Sequence, residues 1–342
     1  MKFKCAVIGL GRIGASFDDK SRKSSINTHT KAYFRNKRVE LSAFCDVDRS
    51  KLMRYGKKYD VQNLYTDYRE LFKNQDLDCV SICTLADSHF DIVQEAAKYS
   101  VKGIFLEKPI SDSLESAGKI IQLCKEKRVR LQIDYQRRFD PFYQHIRDLI
   151  KNDKLGKIQH VNICYGAGIA NTGSHIFDLI RFFFNEIEWA EGAYSRNLSN
   201  NPSDPNVDGT VACKNGTICT IHSFDVNNYV ILEFDIIGTK ARIRLNLTNS
   251  TAEYFEISHN QKGLLYRELE AKKYAFPKKT DAIVLGLENL LYSIENNVEP
   301  LCRGEDGYYS LEAIIAMLES ANKNGDRIYL PLKTNTYKIS SK

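Results

Sequence analysis

A glycine-rich turn directly after a short apolar run constrains the fold of this chain more than any other feature. The run is Phe3–Ile8, and the turn that follows reads Gly9-Leu10-Gly11-Arg12-Ile13-Gly14. In such a turn the first glycine permits a tight bend, the second lets backbone approach a pyrophosphate, and the third allows close helix–strand packing. The following helix N-terminus offers its amides and dipole to the phosphates. We therefore expect a dinucleotide to bind here; a tight turn without a ligand is the alternative.

The rest of the first third alternates between apolar runs of strand length and helical stretches. The runs cover residues 39–45, 79–85, 103–106 and 129–135. Strands that alternate with helices in this way indicate βαβ units and a parallel sheet covered on both faces. The sequence therefore predicts a doubly wound α/β Rossmann domain over residues 1–135.

Beyond residue 135 the pattern changes to successive strands with only a few helices. Lys214-Asn215-Gly216 lies between two of these strands and favours a hairpin, because Asn-Gly readily adopts positive φ. A string of hairpins indicates an antiparallel sheet. Residues 136–342 are therefore predicted to form an α+β domain with a mainly antiparallel sheet.

Composition excludes several classes of protein. The 49 Lys and Arg against 43 Asp and Glu leave a formal charge of +6, with no concentrated basic face of the kind that binds nucleic acid. The apolar runs are far shorter than the ~20 residues of a membrane span, and the N-terminal residues lack a signal-peptide core. The nine cysteines stand singly, without zinc-site spacing. We expect a cytoplasmic protein that binds no nucleic acid, membrane or structural metal.

Asp46, at the end of the second predicted strand, bears on the choice of cofactor. A carboxylate there accepts hydrogen bonds from the adenosine ribose and repels a 2′-phosphate, which favours NAD over NADP. Asp46 lies 32 residues after Gly14, instead of the usual ~20. The excess is a polar segment, Ser16–Thr30, which is predicted to be an inserted loop of undetermined role. Its basic residues keep NADP open; they are Lys20, Arg22 and Lys23.

Two further groups of residues could carry acid–base chemistry. Glu107-Lys108-Pro109 ends a predicted strand of the parallel sheet, at the edge where open α/β sheets bind ligands. An ammonium there can hold a hydroxyl oxygen and stabilise alkoxide charge; a solvated Glu-Lys pair is the alternative. Asn171, His175 and Asp178 share one side of a predicted helix. That side either faces water or presents His175 as an acid–base group oriented by Asp178.

These motifs together resemble the Gfo/Idh/MocA family, which is named for glucose–fructose oxidoreductase, inositol dehydrogenase and a rhizopine-catabolism protein. The resemblance covers nearly the whole chain. The segments that carry it are, in order, the glycine turn, Asp46-Val47-Asp48, residues 84–89, Glu107-Lys108-Pro109, Arg137-Arg138-Phe139-Asp140-Pro141, His175-x-x-Asp178 and residues 238–243.

The resemblance implies a Rossmann domain followed by a substrate-binding domain whose large open sheet often joins subunits, so a homodimer or homotetramer is expected. It also implies NAD(P)-dependent oxidation of a secondary hydroxyl on a sugar, polyol or nucleotide sugar. Likeness to members that accompany bacterial surface-polysaccharide synthesis makes a nucleotide sugar the first hypothesis.

The resemblance also implies roles for individual residues. Lys108 positions the substrate hydroxyl and the nicotinamide, and His175 accepts the proton. The backbone around Arg12 and Ile13 meets the pyrophosphate. The remaining positions in the cofactor cleft are Thr84, His89 and Glu107, and those of a polar substrate pocket are Arg138, Asn171, His175 and Asp178. Many members carry Asp where this chain has Asn171, which is therefore expected to hydrogen-bond the substrate.

Two other functions remain open on the sequence. The same fold could serve as a non-catalytic sensor that binds dinucleotide and sugar, although a sensor has no need of Lys108 and His175. It could also reduce a C=N or C=C bond, for example in a linear tetrapyrrole or a cyclic imine. A large apolar pocket would favour that third function.

Overall fold

The computed structural model describes residues 2–19, 25–258, 266–333 and 337–340. Its internal contacts divide the chain into two units. The first consists of residues 1–139 together with 281–309, and the second of residues 140–280 together with 310–342. The sequence places everything after residue 135 in the second domain, so residues 136–139 and the segment 281–309 differ from that expectation.

The first unit contains a six-stranded sheet in which every neighbouring pair is parallel. Its strands are β1 (Phe3–Ile8), β2 (Val39–Cys45), β3 (Asn63–Tyr65), β4 (Cys79–Ile82), β5 (Gly103–Leu106) and β6 (Arg130–Ile133). They lie in the order β3-β2-β1-β4-β5-β6, which is the doubly wound dinucleotide-binding order. The predicted Rossmann fold is confirmed.

Nine helices lie in the described part of the chain. They are α1 (His29–Arg35), α2 (Arg49–Tyr59), α3 (Tyr68–Asn74), α4 (His89–Ala96), α5 (Leu114–Lys127), α6 (Pro141–Lys151), α7 (Gly173–Phe183), α8 (Ala282–Asn296) and α9 (Gly304–Asn322). Several begin at a side chain that accepts a first-turn amide, which is the usual N-cap arrangement. These caps include Asp48, Asp67, Ser113 and Asp140.

Helix α8 explains why the first unit includes a late segment of the chain. A Cβ on Gly103 of β5 would lie 2.5 Å from Cδ1 of Ile294, so the missing side chain makes room for the helix. The Nε2 atom of Gln132 in β6 donates to the backbone oxygen of Gly286 at 2.7 Å. Both contacts join residues far apart in sequence, which a pattern of strands and helices does not indicate.

The second unit contains an open, nine-stranded sheet. Its strands are β7 (Ile158–Tyr165), β8 (Ile187–Tyr194), β9 (Val207–Cys213), β10 (Ile218–Ser223), β11 (Glu233–Gly238), β12 (Ala241–Asn246), β13 (Thr251–Ile257), β14 (Leu269–Lys272) and β15 (Ile328–Tyr329). They lie in the order β14-β13-β12-β11-β7-β10-β9-β8-β15, and the pair β7–β10 is parallel while the others are antiparallel. The hairpin predicted at Asn215-Gly216 joins β9 to β10, with Gly216 at φ 83°. The predicted α+β fold is confirmed.

Among the described residues, no helix combines the length and apolar character that crossing a bilayer requires.

Candidate active site

The three glycines of the first turn occupy three different environments. Gly9 has φ 89°, and a Cβ there would lie 2.7 Å from the backbone oxygen of Cys83. A Cβ on Gly14 would lie 1.9 Å from the backbone oxygen of Gly9, whereas a Cβ on Gly11 would meet nothing within 4 Å. Gly9 and Gly14 are therefore required by the protein itself, and the space over Gly11 is open. This geometry fits the pyrophosphate of a dinucleotide.

The helix that follows the turn is interrupted. A single helical turn forms, in which Ala15 N–H donates to Gly11 O at 2.9 Å, and it leads into a 3-10 turn at Ser16–Asp19. The helix resumes at α1, where His29 N–H donates to Ile13 O at 3.1 Å and Thr30 N–H to Gly14 O at 3.0 Å. The described residues of the expected loop, 16–19 and 25–28, therefore separate two helical segments, which explains the late position of Asp46.

Two aspartates near the start of this segment form hydrogen bonds that hold it against neighbouring residues. Asp18 is buried and accepts hydrogen bonds from the hydroxyl of Thr28 at 2.7 Å and from the amide of Asn27. Asp19 accepts the hydroxyl of Tyr55 at 2.6 Å and pairs with Lys58 at 2.7 Å, both on α2. Partial burial opposes ionisation of Asp19, but the hydrogen bonds from Lys58 and Tyr55 lower its pKa below the usual value. The basic residues suggested for NADP, Lys20, Arg22 and Lys23, lie outside the described residues.

Asp46 braces the glycine turn against the end of β2. Its Oδ2 atom accepts Leu10 N–H at 2.6 Å and its Oδ1 atom accepts Asp48 N–H at 2.8 Å. The residue is 9% exposed. Each carboxylate oxygen has a second lone pair, so a ribose hydroxyl can still be accepted. The ribose contact remains a prediction.

The ends of three adjacent strands meet at one edge of the parallel sheet. Ile8 of β1 pairs with Ile82 of β4, and Ile82 pairs with Leu106 of β5. The glycine turn follows β1 directly, and Thr84 and Lys108 are the second residues beyond β4 and β5, so the structure brings all three to the same edge. Thr84 and Lys108 are both half-buried. This is the edge at which open parallel sheets bind their ligands.

His89 lies beneath that edge. Its side chain is 0% exposed, with Nδ1 3.1 Å from Ile110 O and Nε2 3.2 Å from Thr84 O. Burial lowers its pKa, and a neutral imidazole donates to one of these carbonyls at a time. His89 thus holds the backbone at Thr84 in place. Its expected contact with the cofactor stays a prediction.

A buried cluster of ionisable groups, His29, Glu107 and Asp134, lies directly behind the same edge. Nε2 of His29 is 3.2 Å from Oε1 of Glu107 and 3.2 Å from Oδ2 of Asp134. Nδ1 of His29 is 2.8 Å from the hydroxyl of Ser81, and that hydroxyl donates to Tyr33 at 2.8 Å. We call these three residues the His29 cluster.

The surroundings of the His29 cluster shift its proton affinities. Burial and the charge of Asp134 raise the pKa of Glu107 to about 7, against the opposing influence of His29. Burial alone would lower the pKa of His29, but Cys83, Asp134 and Glu107 raise it well above its usual value. The sequence does not reveal this cluster, because His29 falls in a segment expected to be a loop and its partners follow distant strands. A carboxylate at the end of an apolar run, as at Asp134, is the available signal.

In the second unit a short loop before α7 fixes Asn171. Ala167 and Gly168 have φ 64° and 91°. Asn206 Oδ1 accepts Gly168 N–H at 2.9 Å, and the carboxylate of Asp204 accepts the amides of Ala170 and Asn171. Asp204 is 2% exposed. The sequence does not single out Asp204 or Asn206, because both lie more than 30 residues from the loop they hold.

His175 and Asp178 lie on α7, whereas Asn171 lies in the loop before it and not on the helix as predicted. Asn171 and His175 are half-buried, so each keeps an accessible surface. Asp178 is 1% exposed, and thus it does not lie on a water-facing arc of the helix. In the first unit, Arg138 is 6% exposed and pairs with Asp306 at 3.1 Å. The substrate contacts assigned to Asp178 and Arg138 stay predictions.

Comparisons with known proteins agree with both halves of this description. A family model described as an oxidoreductase family with an NAD-binding Rossmann fold matches residues 3–135, and its C-terminal alpha/beta domain model matches residues 147–330. An uncharacterized oxidoreductase, YrbE, of Bacillus subtilis is 29% identical over 44% of this chain, and the match spans 40% of that relative's length. Myo-inositol 2-dehydrogenase of Thermotoga maritima is 24% identical, over 90% of this chain and 93% of the relative.

A solved structure shares the fold over the whole chain. It is the WlbA dehydrogenase from Bordetella pertussis in complex with NADH and UDP-GlcNAcA. It superposes with a TM-score of 0.78 at 18% identity, covering 97% of this chain and 100% of the other.

Proposed function

This chain belongs to the Gfo/Idh/MocA family of NAD-binding oxidoreductases, and from that premise we propose that it transfers hydride between nicotinamide and a secondary hydroxyl of a nucleotide sugar. The observation that carries the proposal is Lys108. It is a half-buried ammonium at the carboxyl end of β5, on the same sheet edge as the open space over Gly11. A cation at that edge suits an oxygen that becomes negative as a hydride leaves its carbon.

The first unit supplies the cofactor site. The cofactor is NAD, with the backbone of Gly11, Arg12 and Ile13 facing its pyrophosphate. Asp46 supports NAD over NADP, because its carboxylate at the end of β2 would repel a 2′-phosphate. When bound, the nicotinamide accepts the hydride from the carbinol carbon of the substrate.

Side chains of the protein bind the oxygen of the substrate hydroxyl and accept its proton. Lys108 holds the substrate hydroxyl and stabilises its developing negative charge. His175 accepts the hydroxyl proton, so that loss of hydride and proton together leaves a carbonyl. In the reverse direction the protonated His175 returns the proton. Asn171, held by Asp204 through its backbone, donates or accepts one hydrogen bond to the sugar without taking up a proton.

Two lines of support favour a nucleotide sugar over a free polyol. A solved structure with this fold, the WlbA dehydrogenase from Bordetella pertussis, is in complex with NADH and UDP-GlcNAcA. Asn171 also replaces the carboxylate that many family members carry four residues before the histidine. That replacement removes one proton acceptor and leaves the acid–base work to His175 and Lys108.

We also propose that copies of the chain associate through the nine-stranded sheet of the second unit, as a homodimer or homotetramer. Strands β11 and β12 alternate between buried and half-exposed or exposed residues. One face is therefore packed within the unit while the other is accessible. Light scattering coupled to size-exclusion chromatography gives the number of copies.

A single-turnover redox assay tests the proposed reaction. The purified protein is loaded with NAD⁺ or NADH and mixed with pools of nucleotide sugars, free sugars, polyols and their keto forms, while nicotinamide absorbance is followed. We expect the nucleotide-sugar pool to change the redox state. A response confined to polyols would refute the substrate class. Bound dinucleotide without a response from any pool would refute the dehydrogenase and favour the sensor or the C=N or C=C reductase.

A further inference from the structure

His29 connects the two turns that flank the cofactor edge. Its backbone N–H donates to Ile13 O in the glycine turn at 3.1 Å. Its side chain meets Glu107 at 3.2 Å, and the other oxygen of Glu107 accepts Lys108 N–H at 3.2 Å. A single residue therefore joins the turn that faces the pyrophosphate to the turn that carries Lys108.

The partners of the imidazole suit its doubly protonated form. The hydroxyl of Ser81 can accept Nδ1–H of His29 while it donates to Tyr33. Nε2–H faces two carboxyl groups, both of which can accept it. An imidazolium that is 1% exposed requires a nearby negative charge.

Ionising both Glu107 and Asp134 would place two negative charges close together in a buried site, which costs free energy. Glu107 is 7% exposed and Asp134 is 1% exposed, and Oδ1 of Asp134 has no hydrogen-bond partner among the described residues. Two carboxylates that share a buried site hold one proton between them. One imidazolium, one carboxylate and one carboxylic acid make the His29 cluster neutral, which buried surroundings favour.

We propose that His29 is a positioning residue whose cluster releases its carboxyl proton to solvent when NAD⁺ binds and keeps it when NADH binds. The inference rests on the proposed function, in which Lys108, the chain neighbour of Glu107, faces the nicotinamide. The oxidised ring is cationic and favours an ionised carboxylate nearby, whereas the reduced ring is neutral and does not. The cluster thereby couples the redox state of the cofactor to one proton.

Several titratable groups around Glu107 influence whether its carboxyl group is protonated. His29 faces it from α1, Asp134 from the end of β6 and Cys83 from the end of β4. Lys108 adjoins it in the chain, and Tyr33 lies beyond Ser81. Burial raises the pKa of Glu107 to about 7, so its proton exchanges in the neutral range.

Isothermal titration calorimetry tests the inference without turnover. NAD⁺ and NADH are titrated at pH 7 in two buffers of different ionisation enthalpy, which gives the protons exchanged per ligand bound. We expect NAD⁺ to release about half a proton and NADH close to none. For NAD⁺, we also expect Kd to fall by about tenfold from pH 6 to pH 8, since a group with a pKa of about 7 must lose its proton.

Three variants assign the proton. Glu107→Gln keeps the shape of the side chain and should abolish the proton release on NAD⁺ binding. His29→Gln keeps an N–H donor without the charge of the imidazolium, and it should change the pH at which the proton is released. Glu70→Gln, an exposed carboxylate on α3, is the matched control and should behave as the wild type. Circular dichroism checks folding, and the wild-type pH dependence provides a test that requires no variant.

Equal proton exchange for NAD⁺ and NADH would overturn the inference, as would release that survives in Glu107→Gln. A stoichiometric divalent metal in the purified protein, lost in Glu107→Gln, would overturn it too. If dinucleotide does not bind at all, both this inference and the proposed function are wrong. If NAD⁺ releases the proton but no substrate pool responds in the redox assay, the inference stands and the proposed function alone fails.

Discussion

The carboxylate of Asp204 accepts the backbone N–H of Asn171 at 2.9 Å through one oxygen and that of Ala170 at 2.8 Å through the other. Asp204 is 2% exposed, so both hydrogen bonds form away from water. They fix the backbone one helical turn ahead of His175. The position of Asn171 thus depends on a buried carboxylate that is not among the residues assigned to the substrate.

Substitution Asp204→Asn should therefore loosen this loop. An amide offers one acceptor oxygen, and its NH₂ group would face a backbone N–H, leaving a buried donor without a partner at a cost of about 1–3 kcal/mol. We expect the free energy of unfolding, measured in urea, to fall by about that amount, and the KM for the substrate to rise. Asp225→Asn, an exposed aspartate that accepts Asn227 N–H, is the control. Equal effects of the two substitutions would contradict this account.

Replacing a glycine of the turn with alanine should have opposite effects at Gly14 and at Gly11. Gly14→Ala places a Cβ 1.9 Å from Gly9 O, and so it should destabilise the fold by several kcal/mol, on the order of a severe packing error. Gly11→Ala meets nothing within 4 Å and should leave the melting temperature nearly unchanged. Because that space is where the pyrophosphate would lie, we expect Gly11→Ala to weaken NAD binding at least tenfold. Thermal melts and dinucleotide titrations separate the two effects, and unchanged affinity in Gly11→Ala would disprove the assignment.

The sequence predicts the features that depend on neighbouring residues and misses those that depend on tertiary contacts. The glycine turn and the alternating strands and helices of the first unit follow from local patterns, since each depends on residues adjacent in the chain. The His29 cluster depends on contacts between the ends of β5 and β6 and a helix that resumes after an insertion. The burial of Asp178 and the pairing of Arg138 with Asp306 likewise depend on tertiary packing, which an amphipathic pattern does not specify.

Lys108→Ala should remove turnover while sparing cofactor affinity. The substitution deletes the cation that stabilises the alkoxide but leaves the glycine turn and Asp46 untouched, so we expect kcat to fall by at least 10³-fold and the Kd for NAD to change by less than about threefold. Lys102→Ala, at the opposite end of β5, removes an exposed lysine paired with Asp78 and should alter neither quantity. Turnover that persists in Lys108→Ala would show that the role given to Lys108 is wrong.

The stability of the protein should fall as pH rises through the range in which Glu107 ionises. Its pKa is raised from 4.5 to about 7 by burial and by Asp134. Below pH 4.5 the carboxyl group is protonated in both states; between 4.5 and 7 the unfolded chain loses the proton and the folded chain keeps it, so each step upward favours unfolding. The stabilising contribution is thus present at low pH and lost by about pH 7. His29 acts in the same direction. Its pKa in the folded protein is raised, so its protonation stabilises the fold at pH values below its usual pKa, and this stabilisation is lost as the pH rises through the pKa of the folded protein.

Glu107→Gln removes this contribution, and because Glu107 also raises the pKa of His29, the comparison reports the linked titration of the His29 cluster. We expect the difference in unfolding free energy, wild type minus variant, to decrease by about 2–3 kcal/mol between pH 5 and pH 7.5, at about 1.36 kcal/mol per pKa unit. Urea denaturation at four pH values across that interval provides the measurement. A difference that stays constant with pH would mean that Glu107 ionises as it does in water, and that the His29 cluster holds no proton in the neutral range. A decrease would show that the His29 cluster, through Glu107, holds a proton in the neutral range independently of any cofactor.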